Sequence, residues 1–143
     1  MSANDFTELI AWQRADELER FALKMIKRRA LAEDETFCEQ TSNCASSGPR
    51  NIAEGHGRFA PVQFAHFMRI AIGSIQETRN QIIKAWQRGA ITDDEKQAGL
   101  ALSKRALGAA VRLRHYLLSQ EAKANAKAIE HRVNHRSLNP RTK

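Results

Sequence analysis

Strongly helical segments flank one unusual stretch, which reads Ser47-Gly48-Pro49-Arg50-Asn51-Ile52-Ala53-Glu54-Gly55-His56-Gly57-Arg58. Proline removes a backbone donor and clashes with the preceding helical turn, and each glycine weakens a helix by about 1 kcal/mol relative to alanine. The simpler interpretation is a helix that kinks at Pro49 and ends at Gly55 and Gly57. The alternative is that these residues form a specialised surface.

The composition favours a single all-helical domain. The chain has 143 residues and 42% of them are apolar, which is enough for one core. Valine occurs only at positions 62, 111 and 133, and the chain contains three prolines. Because strands are rich in β-branched residues and alanine and leucine favour helices, the sequence predicts an all-α fold.

The segments on either side of the unusual stretch predict the second and third helices. The second is expected to start near Asp34 and to run toward Glu54. The third is expected to start at Pro61, which suits a first helical turn, and to stop at Gly89. Their predicted buried positions recur every three or four residues, at Phe37, Thr41, Cys44 and Ile52 in the second helix and Phe64, Phe67, Ala71, Ile75, Thr78, Ile82 and Ala85 in the third.

The first and fourth helices are predicted from the same period. The first is expected over about residues 6–30, with Asn4 or Asp5 as its N-cap. The fourth begins where Thr92 is followed by Glu95, which matches a capping box. Their predicted buried positions are Ala15, Leu18, Ala22 and Met25 in the first helix and Leu102, Ala106, Ala109, Leu113 and Leu117 in the fourth.

Four amphipathic helices with short connections predict an antiparallel up-down-up-down four-helix bundle. We expect the bundle over residues 1–122, followed by a basic and mobile carboxyl-terminal extension over 123–143. The apolar residues of the third helix form a band that is wider than one stripe. This width indicates that a second face is covered by a neighbouring helix or another subunit, which predicts a homo-oligomer. The residues that widen the band are Met68, Ile70, Ile72, Ile83 and Trp86.

Positive charge is concentrated in the second half of the chain. The net charge is +7, and counting Lys/Arg against Asp/Glu gives −2 for residues 1–60, +5 for 61–120 and +4 for 121–143. A basic surface favours a polyanionic partner, although it can also serve solubility alone. The residues that we expect to contact the phosphates of RNA or DNA are Lys104, Arg105, Arg112, Arg114, Arg132 and Arg136.

The sequence does not indicate catalysis. Cys38 and Cys44 are six residues apart and lack zinc-site spacing, so we expect two reduced thiols in a cytoplasmic protein. P-loop, HExxH and nucleophile-elbow motifs do not occur. Glu54 and His56 could form an acid and base pair, but a local polar network explains them more simply. We therefore expect no enzyme activity, no cofactor, no metal site and no membrane partner.

Three segments carry a family resemblance, and they are Leu9-Ile10-Ala11-Trp12-Gln13-Arg14-Ala15, Pro49-Arg50-Asn51-Ile52-Ala53-Glu54-Gly55-His56-Gly57-Arg58 and Phe67-Met68-Arg69-Ile70-Ala71-Ile72-Gly73-Ser74-Ile75-Gln76-Glu77. They resemble the 23S ribosomal RNA intervening-sequence family. Its members typically show a "vWqkA" start, a "SIPsNIAEGxGR" centre and an "FlxiAxGSlxEl" third helix. The resemblance covers roughly Phe6 to Leu118, which is nearly the whole predicted bundle.

The resemblance implies a four-helix bundle that assembles as a ring-like homopentamer without catalytic residues. It also implies a relation to the accessory protein of diversity-generating retroelements, a basic barrel that binds nucleic acid and a reverse transcriptase. This chain departs from the family pattern at two places. Ser42-Asn43 stand where the family usually has an Arg-Arg pair, and Gly48 stands where it has an apolar residue.

The family-motif residues of this chain are Asn51, Glu54, Gly55, Gly57 and Arg58. Asparagine supplies donors and acceptors, glutamate accepts and arginine donates, so these side chains can tie the end of the second helix to the third. We favour this structural role over a contact with RNA or a protein partner, because buried polar groups usually satisfy one another.

The leading functional hypothesis is a non-enzymatic homo-oligomeric scaffold that binds nucleic acid through its basic surface, alongside a protein partner such as a reverse transcriptase. The alternative is a structural or protein-interaction module whose basic surface only keeps it soluble. The two hypotheses differ in whether the basic side chains contact phosphates.

Overall fold

The described part of the chain is helical. The computed structural model describes residues 4–58 and 60–137, with side chains up to residue 135. No strand occurs within these residues, so the all-α prediction is confirmed. A 3-10 helix at Phe6–Glu8 comes first in this part, and the α-helices that follow are α1 (Ile10–Met25), α2 (Arg29–Ala32), α3 (Glu35–His56), α4 (Pro61–Gln87) and α5 (Asp93–Ser137).

The core lies between the four long helices. α1 packs against α3 and α5, and α4 packs against the same two helices. Across residues 4–58 and 60–135, no buried side-chain nitrogen or oxygen lacks a hydrogen-bond partner, as is usual for native cores. The largest apolar side chains that are almost fully buried are Leu18, Leu31, Ile52, Met68, Ile75 and Ile82.

The first predicted helix is wrong at both ends, because Phe6–Glu8 form a separate 3-10 helix with Asp5 as its N-cap and α1 begins only at Ile10. α1 ends at Met25, and the backbone N–H groups of Lys27 and Arg28 donate to the carbonyl groups of Lys24 and Met25, three residues back rather than four. This tighter turn leads into α2 and brings Leu31 into the core, where its side chain is fully buried. Burial of a leucine side chain stabilises the fold by about 2 kcal/mol. This free energy outweighs what the residues of the turn would gain by continuing the helix.

α3 has the predicted ends. Asp34 accepts a hydrogen bond from the backbone N–H of Phe37 at 3.0 Å, and this bond lowers the pKa of Asp34 below its usual range. The helix ends at His56, with Gly57 as its C-cap. It continues through Pro49, which is buried, so the proline does not end the helix.

α4 also has the predicted ends, but its buried face differs at one position. It begins at Pro61, and Gly89 beyond its last turn has a φ of 74°, the left-handed conformation that favours glycine. The prediction that Phe67 is a core residue is wrong, because its side chain is only half-buried. Phe64 and Met68 fill the core instead, so Phe67 lies at the edge of the buried face.

Gly55 allows α3 and α4 to approach closely. A Cβ atom on Gly55 would lie 2.5 Å from the ring of Phe64 and 2.9 Å from the Cβ atom of Phe67. Gly57, by contrast, has a φ of −73°, which any residue can adopt. The packing of the two helices therefore requires glycine at 55.

Replacing Gly55 by alanine is expected to lower the free energy of unfolding by about 1–3 kcal/mol, the usual cost of overpacking. The control is Gly73→Ala in α4, where an added Cβ atom would meet nothing within 4 Å. The control should be neutral or stabilising by up to about 1 kcal/mol, because alanine is the better helix former. Urea unfolding measures both variants, and equal stabilities would contradict the close approach at Gly55.

α5 starts as predicted and extends beyond the core. The Thr92 hydroxyl accepts from the backbone N–H of Glu95 at 3.2 Å, and the backbone N–H of Thr92 donates to the Glu95 carboxylate at 3.1 Å, so the capping box is confirmed. The helix passes the predicted boundary at residue 122 and reaches Ser137. After Leu117, every described side chain is partly or fully exposed. The mobility of residues 123–143 stays a prediction.

Candidate nucleic-acid interface

Three of the predicted phosphate contacts lie on one part of α5. Lys104, Arg105 and Arg112 are all exposed. Arg105 and Arg112 are about two helical turns apart, so they occupy the same flank of the helix. Residues 96–120 contain five Lys/Arg residues and no Asp or Glu. Within this length of α5, no acidic side chain offsets the positive charge.

The side chain of Arg112 extends toward Lys104 and Arg105. A Cβ atom added to Gly108 would meet the Nη1 atom of Arg112 at 3.1 Å, so the guanidinium group lies over Gly108. Gly108 is one turn from Lys104, and residues four apart are neighbours on a helix surface. The helical period places Lys104, Arg105 and Arg112 on one side of α5, and Gly108 leaves room for the Arg112 guanidinium group there. We call these three residues the basic face.

The structure does not bring the other predicted contacts to the basic face. Arg114 is half-buried, and its position two residues after Arg112 places it about 200° around the helix. Arg132 is exposed on the extension, about five turns beyond Arg114. The side chain of Arg136 lies outside the described residues.

Arg79 of α4 adds a cation that the sequence pattern did not indicate. Its side chain lines a groove of about 410 Å³ between α4 and α5, together with Gln76 and Lys104. Arg79 follows the buried Thr78, so the helical period places it at the surface, but its proximity to α5 depends on tertiary packing. Positive charge therefore continues from the basic face across this groove to α4.

Asn51 of the family motif acts within the fold. Its Nδ2 atom donates to the Ser47 carbonyl at 2.8 Å and to the Ser47 hydroxyl at 2.9 Å. The Ser47 hydroxyl is in turn hydrogen-bonded to the hydroxyl of Ser74 on α4 at 2.7 Å. Asn51 thus links α3 to α4 through Ser47, which supports the structural interpretation of this part of the motif.

Glu54 and Arg58 form a local ion pair at the end of α3. Arg58 Nη2 donates to Glu54 Oε1 at 2.6 Å, and both side chains are exposed. The Arg58 guanidinium also lies 5.1 Å from the centre of the Phe67 ring, a geometry in which the ring face attracts a cation. His56 packs edge-on against Phe64, with ring centres 6.2 Å apart. Arg58 and His56 therefore connect the end of α3 to α4.

The described residues offer no metal site. Within residues 4–58 and 60–135, no group of three or more His, Cys, Asp or Glu side chains is placed to hold a metal ion. Both cysteines are free thiols, and burial raises the pKa of Cys44, which makes it a poor nucleophile at neutral pH. Among the helices of the described part, none is long and apolar enough to cross a membrane.

Comparison with known proteins identifies the family of this chain. The model of the family described as 23S rRNA-intervening sequence protein matches residues 7–107. The matched residues contain α1 to α4 and the first part of α5, including Lys104 and Arg105. No curated protein matches the chain significantly. Because the family match spans more than half of the 143 residues, the chain belongs to the family of 23S rRNA-intervening sequence proteins.

Proposed function

We propose that this protein is a non-enzymatic homo-oligomeric scaffold that binds RNA or DNA with little sequence preference. The observation that carries the proposal is the basic face, where Lys104, Arg105 and Arg112 share one side of a helix segment without acidic residues. Exposed lysine and arginine side chains contact phosphates, and phosphates carry no sequence information. RNA and DNA are therefore both expected ligands.

The proposed unit of the scaffold is an antiparallel up-down-up-down bundle of α1, α3, α4 and α5. Its support comes from contacts in which residue numbers rise along one helix and fall along its neighbour. Thr41 of α3 is hydrogen-bonded to Gln81 of α4, whereas Ser47, further along α3, is hydrogen-bonded to Ser74. The packing of α5 against α1 closes the arrangement.

The units are proposed to assemble as a homopentamer, as the family resemblance implies. Ile70 on α4 and Val111 and Leu118 on α5 are exposed, so apolar surface remains outside the core of a single chain. A ring repeats the basic face in every subunit, and such repetition makes weak single contacts avid. A protein partner such as a reverse transcriptase would join this assembly in the cytoplasm.

Binding to a short single-stranded RNA of mixed sequence is expected to weaken steeply with salt. Each contacted phosphate releases counterions, which gives a slope of about −0.7 in log K against log[salt] per contact for single strands. Three contacts from one subunit predict a slope of about −2, and further subunits make it steeper. Fluorescence anisotropy between about 50 and 200 mM salt measures the slope. A flat salt dependence, or no binding at the lowest salt, would contradict the proposal.

A further inference from the structure

A polar groove of about 520 Å³ runs between α3 and α4, and none of the described residues of α5 lines it. Its lining consists mainly of amide, hydroxyl and charged side chains. Helices that pack in a bundle normally place apolar residues along their shared side. The polar side chains along this groove therefore suggest a use other than packing.

Hydrogen bonds tie α3 to α4 along the groove. Gln81 Nε2 donates to Thr41 Oγ1 at 2.9 Å. The hydroxyls of Ser47 and Ser74 are hydrogen-bonded at 2.7 Å. Groups within the protein thus set the separation of the two helices, so the groove is formed before any ligand binds, as is usual for binding sites.

The rim of the groove carries polar groups that the protein itself leaves available. Gln40, Asn43 and Asn80 are exposed, and their amides make no hydrogen bond to the residues that the structure describes. Each amide has two donor hydrogens and an acceptor oxygen. Arg50 and Glu77, which are also exposed, add one positive and one negative charge. The rim therefore offers paired donors and acceptors without net charge.

This chemistry does not suit a nucleic acid or a partner helix. Single-stranded nucleic acids require cations for their phosphates and aromatic rings for their bases. The described residues that line this groove include one cation, one anion and no aromatic side chain. A partner helix would insert an apolar stripe, and among the described residues that line the groove only Cys44 has an apolar side chain.

An extended peptide matches the rim in both chemistry and length. Its main chain alternates N–H and C=O groups, so one primary amide, such as that of Asn43 or Asn80, can form two hydrogen bonds with the N–H and C=O groups of one extended residue. From Gln40 to Arg50, α3 advances about 15 Å, which is the length of four to five extended residues. We propose that the α3/α4 groove binds an extended peptide segment of a protein partner through its main chain.

Asn43 also lies at a position where this chain departs from the family pattern. Together with Ser42 it stands in place of an Arg-Arg pair, and two arginines here would make the rim strongly positive. The asparagine keeps the groove neutral in a protein whose net charge is +7. The peptide groove and the basic face are thus electrostatically distinct surfaces.

The probe for this site is a phage-displayed library of short random peptides. The library is selected on wild-type protein in the presence of excess Asn43→Ala/Asn80→Ala variant, which removes peptides that bind elsewhere. Enriched peptides, made synthetically, should bind each single variant about tenfold more weakly than wild type, the effect of one lost hydrogen-bonding group. A peptide with an N-methylated main chain should also bind wild type at least about tenfold more weakly, because methylation removes its donors.

Two control variants separate this proposal from nucleic-acid binding. The first control is Gln97→Ala, since Gln97 lines the groove between α4 and α5, and the second is Arg112→Gln on the basic face. Both should leave peptide binding unchanged, and Arg112→Gln should weaken RNA binding. The proposal is overturned if no peptide is enriched or if N-methylation has no effect. It is also overturned if the Asn43 and Asn80 variants lose oligonucleotide binding or change the oligomeric mass instead. The N-methylated peptide is tested on wild-type protein, so this test does not depend on the folding of a variant.

Discussion

Replacing Ile75 by alanine is expected to lower the free energy of unfolding by about 2–5 kcal/mol. The side chain lies near the middle of α4 with 1% of its surface exposed. It packs against α3, because a Cβ atom on Gly48 would lie 3.5 Å from its Cγ1 atom. Truncation leaves a cavity that closely packed helices fill only in part.

Urea unfolding measures this loss against a matched control. Ile129→Ala removes the same atoms from a residue on the α5 extension that is 62% exposed, and it should change the free energy of unfolding by less than about 0.5 kcal/mol. If Ile75→Ala costs less than about 1 kcal/mol, Ile75 lies outside the core, and α4 packs on the bundle through a different face.

Removing the charges of the basic face is expected to weaken nucleic-acid binding about 100-fold. The variant carries Lys104→Gln, Arg105→Gln and Arg112→Gln, and each lost phosphate contact costs about 1 kcal/mol. Affinity for all RNA and DNA sequences should fall alike, because phosphates do not differ between sequences. The slope of log K against log[salt] should also become less steep. All three side chains are exposed, so the thermal unfolding midpoint should not change.

A second triple variant controls for net charge. Arg20→Gln, Lys24→Gln and Lys27→Gln also lower the net charge from +7 by three, at exposed positions on α1 and the turn after it. Fluorescence anisotropy at low salt compares the two variants. If the control weakens binding as much as the loss of the basic face does, net charge rather than the basic face governs the interaction.

The ends of α3 and α4 and the start of α5 could be predicted because their signals are local. Asp34 and the capping box at Thr92 satisfy backbone groups of the next few residues, and Gly89 adopts its own left-handed conformation. The break after Met25 carries no such signal, since the lysines and arginines around it favour a helix. The helix breaks there because the break allows Leu31 to be buried against the other helices, and such burial depends on tertiary packing.

The prediction that Phe67 is a core residue is wrong for a similar reason. Phe64 and Phe67 are three residues apart, so both fit a helical stripe. The close approach of Gly55 to the Phe64 ring belongs to the packing of α3 on α4. Helical periodicity alone therefore could not show which of the two rings enters the core.

The candidate interface could be predicted only in part. The helical period and the charge count together indicate that Lys104, Arg105 and Arg112 are cations on one helix. It does not indicate that Arg112 lies over Gly108 or that Arg79 of α4 lines the adjoining groove. Both features depend on side-chain placement and on the packing of α4 against α5.

Nucleic acid bound to the basic face should shield its cations from chemical modification. Mass spectrometry can compare the reactivity of lysine and arginine side chains in the free protein and in its complex with a short single-stranded RNA. We expect protection of Lys104, Arg105 and Arg112, while Lys24 and Lys27 react equally in both states. Protection of Lys24 and Lys27 with an unchanged basic face would contradict the proposed binding surface.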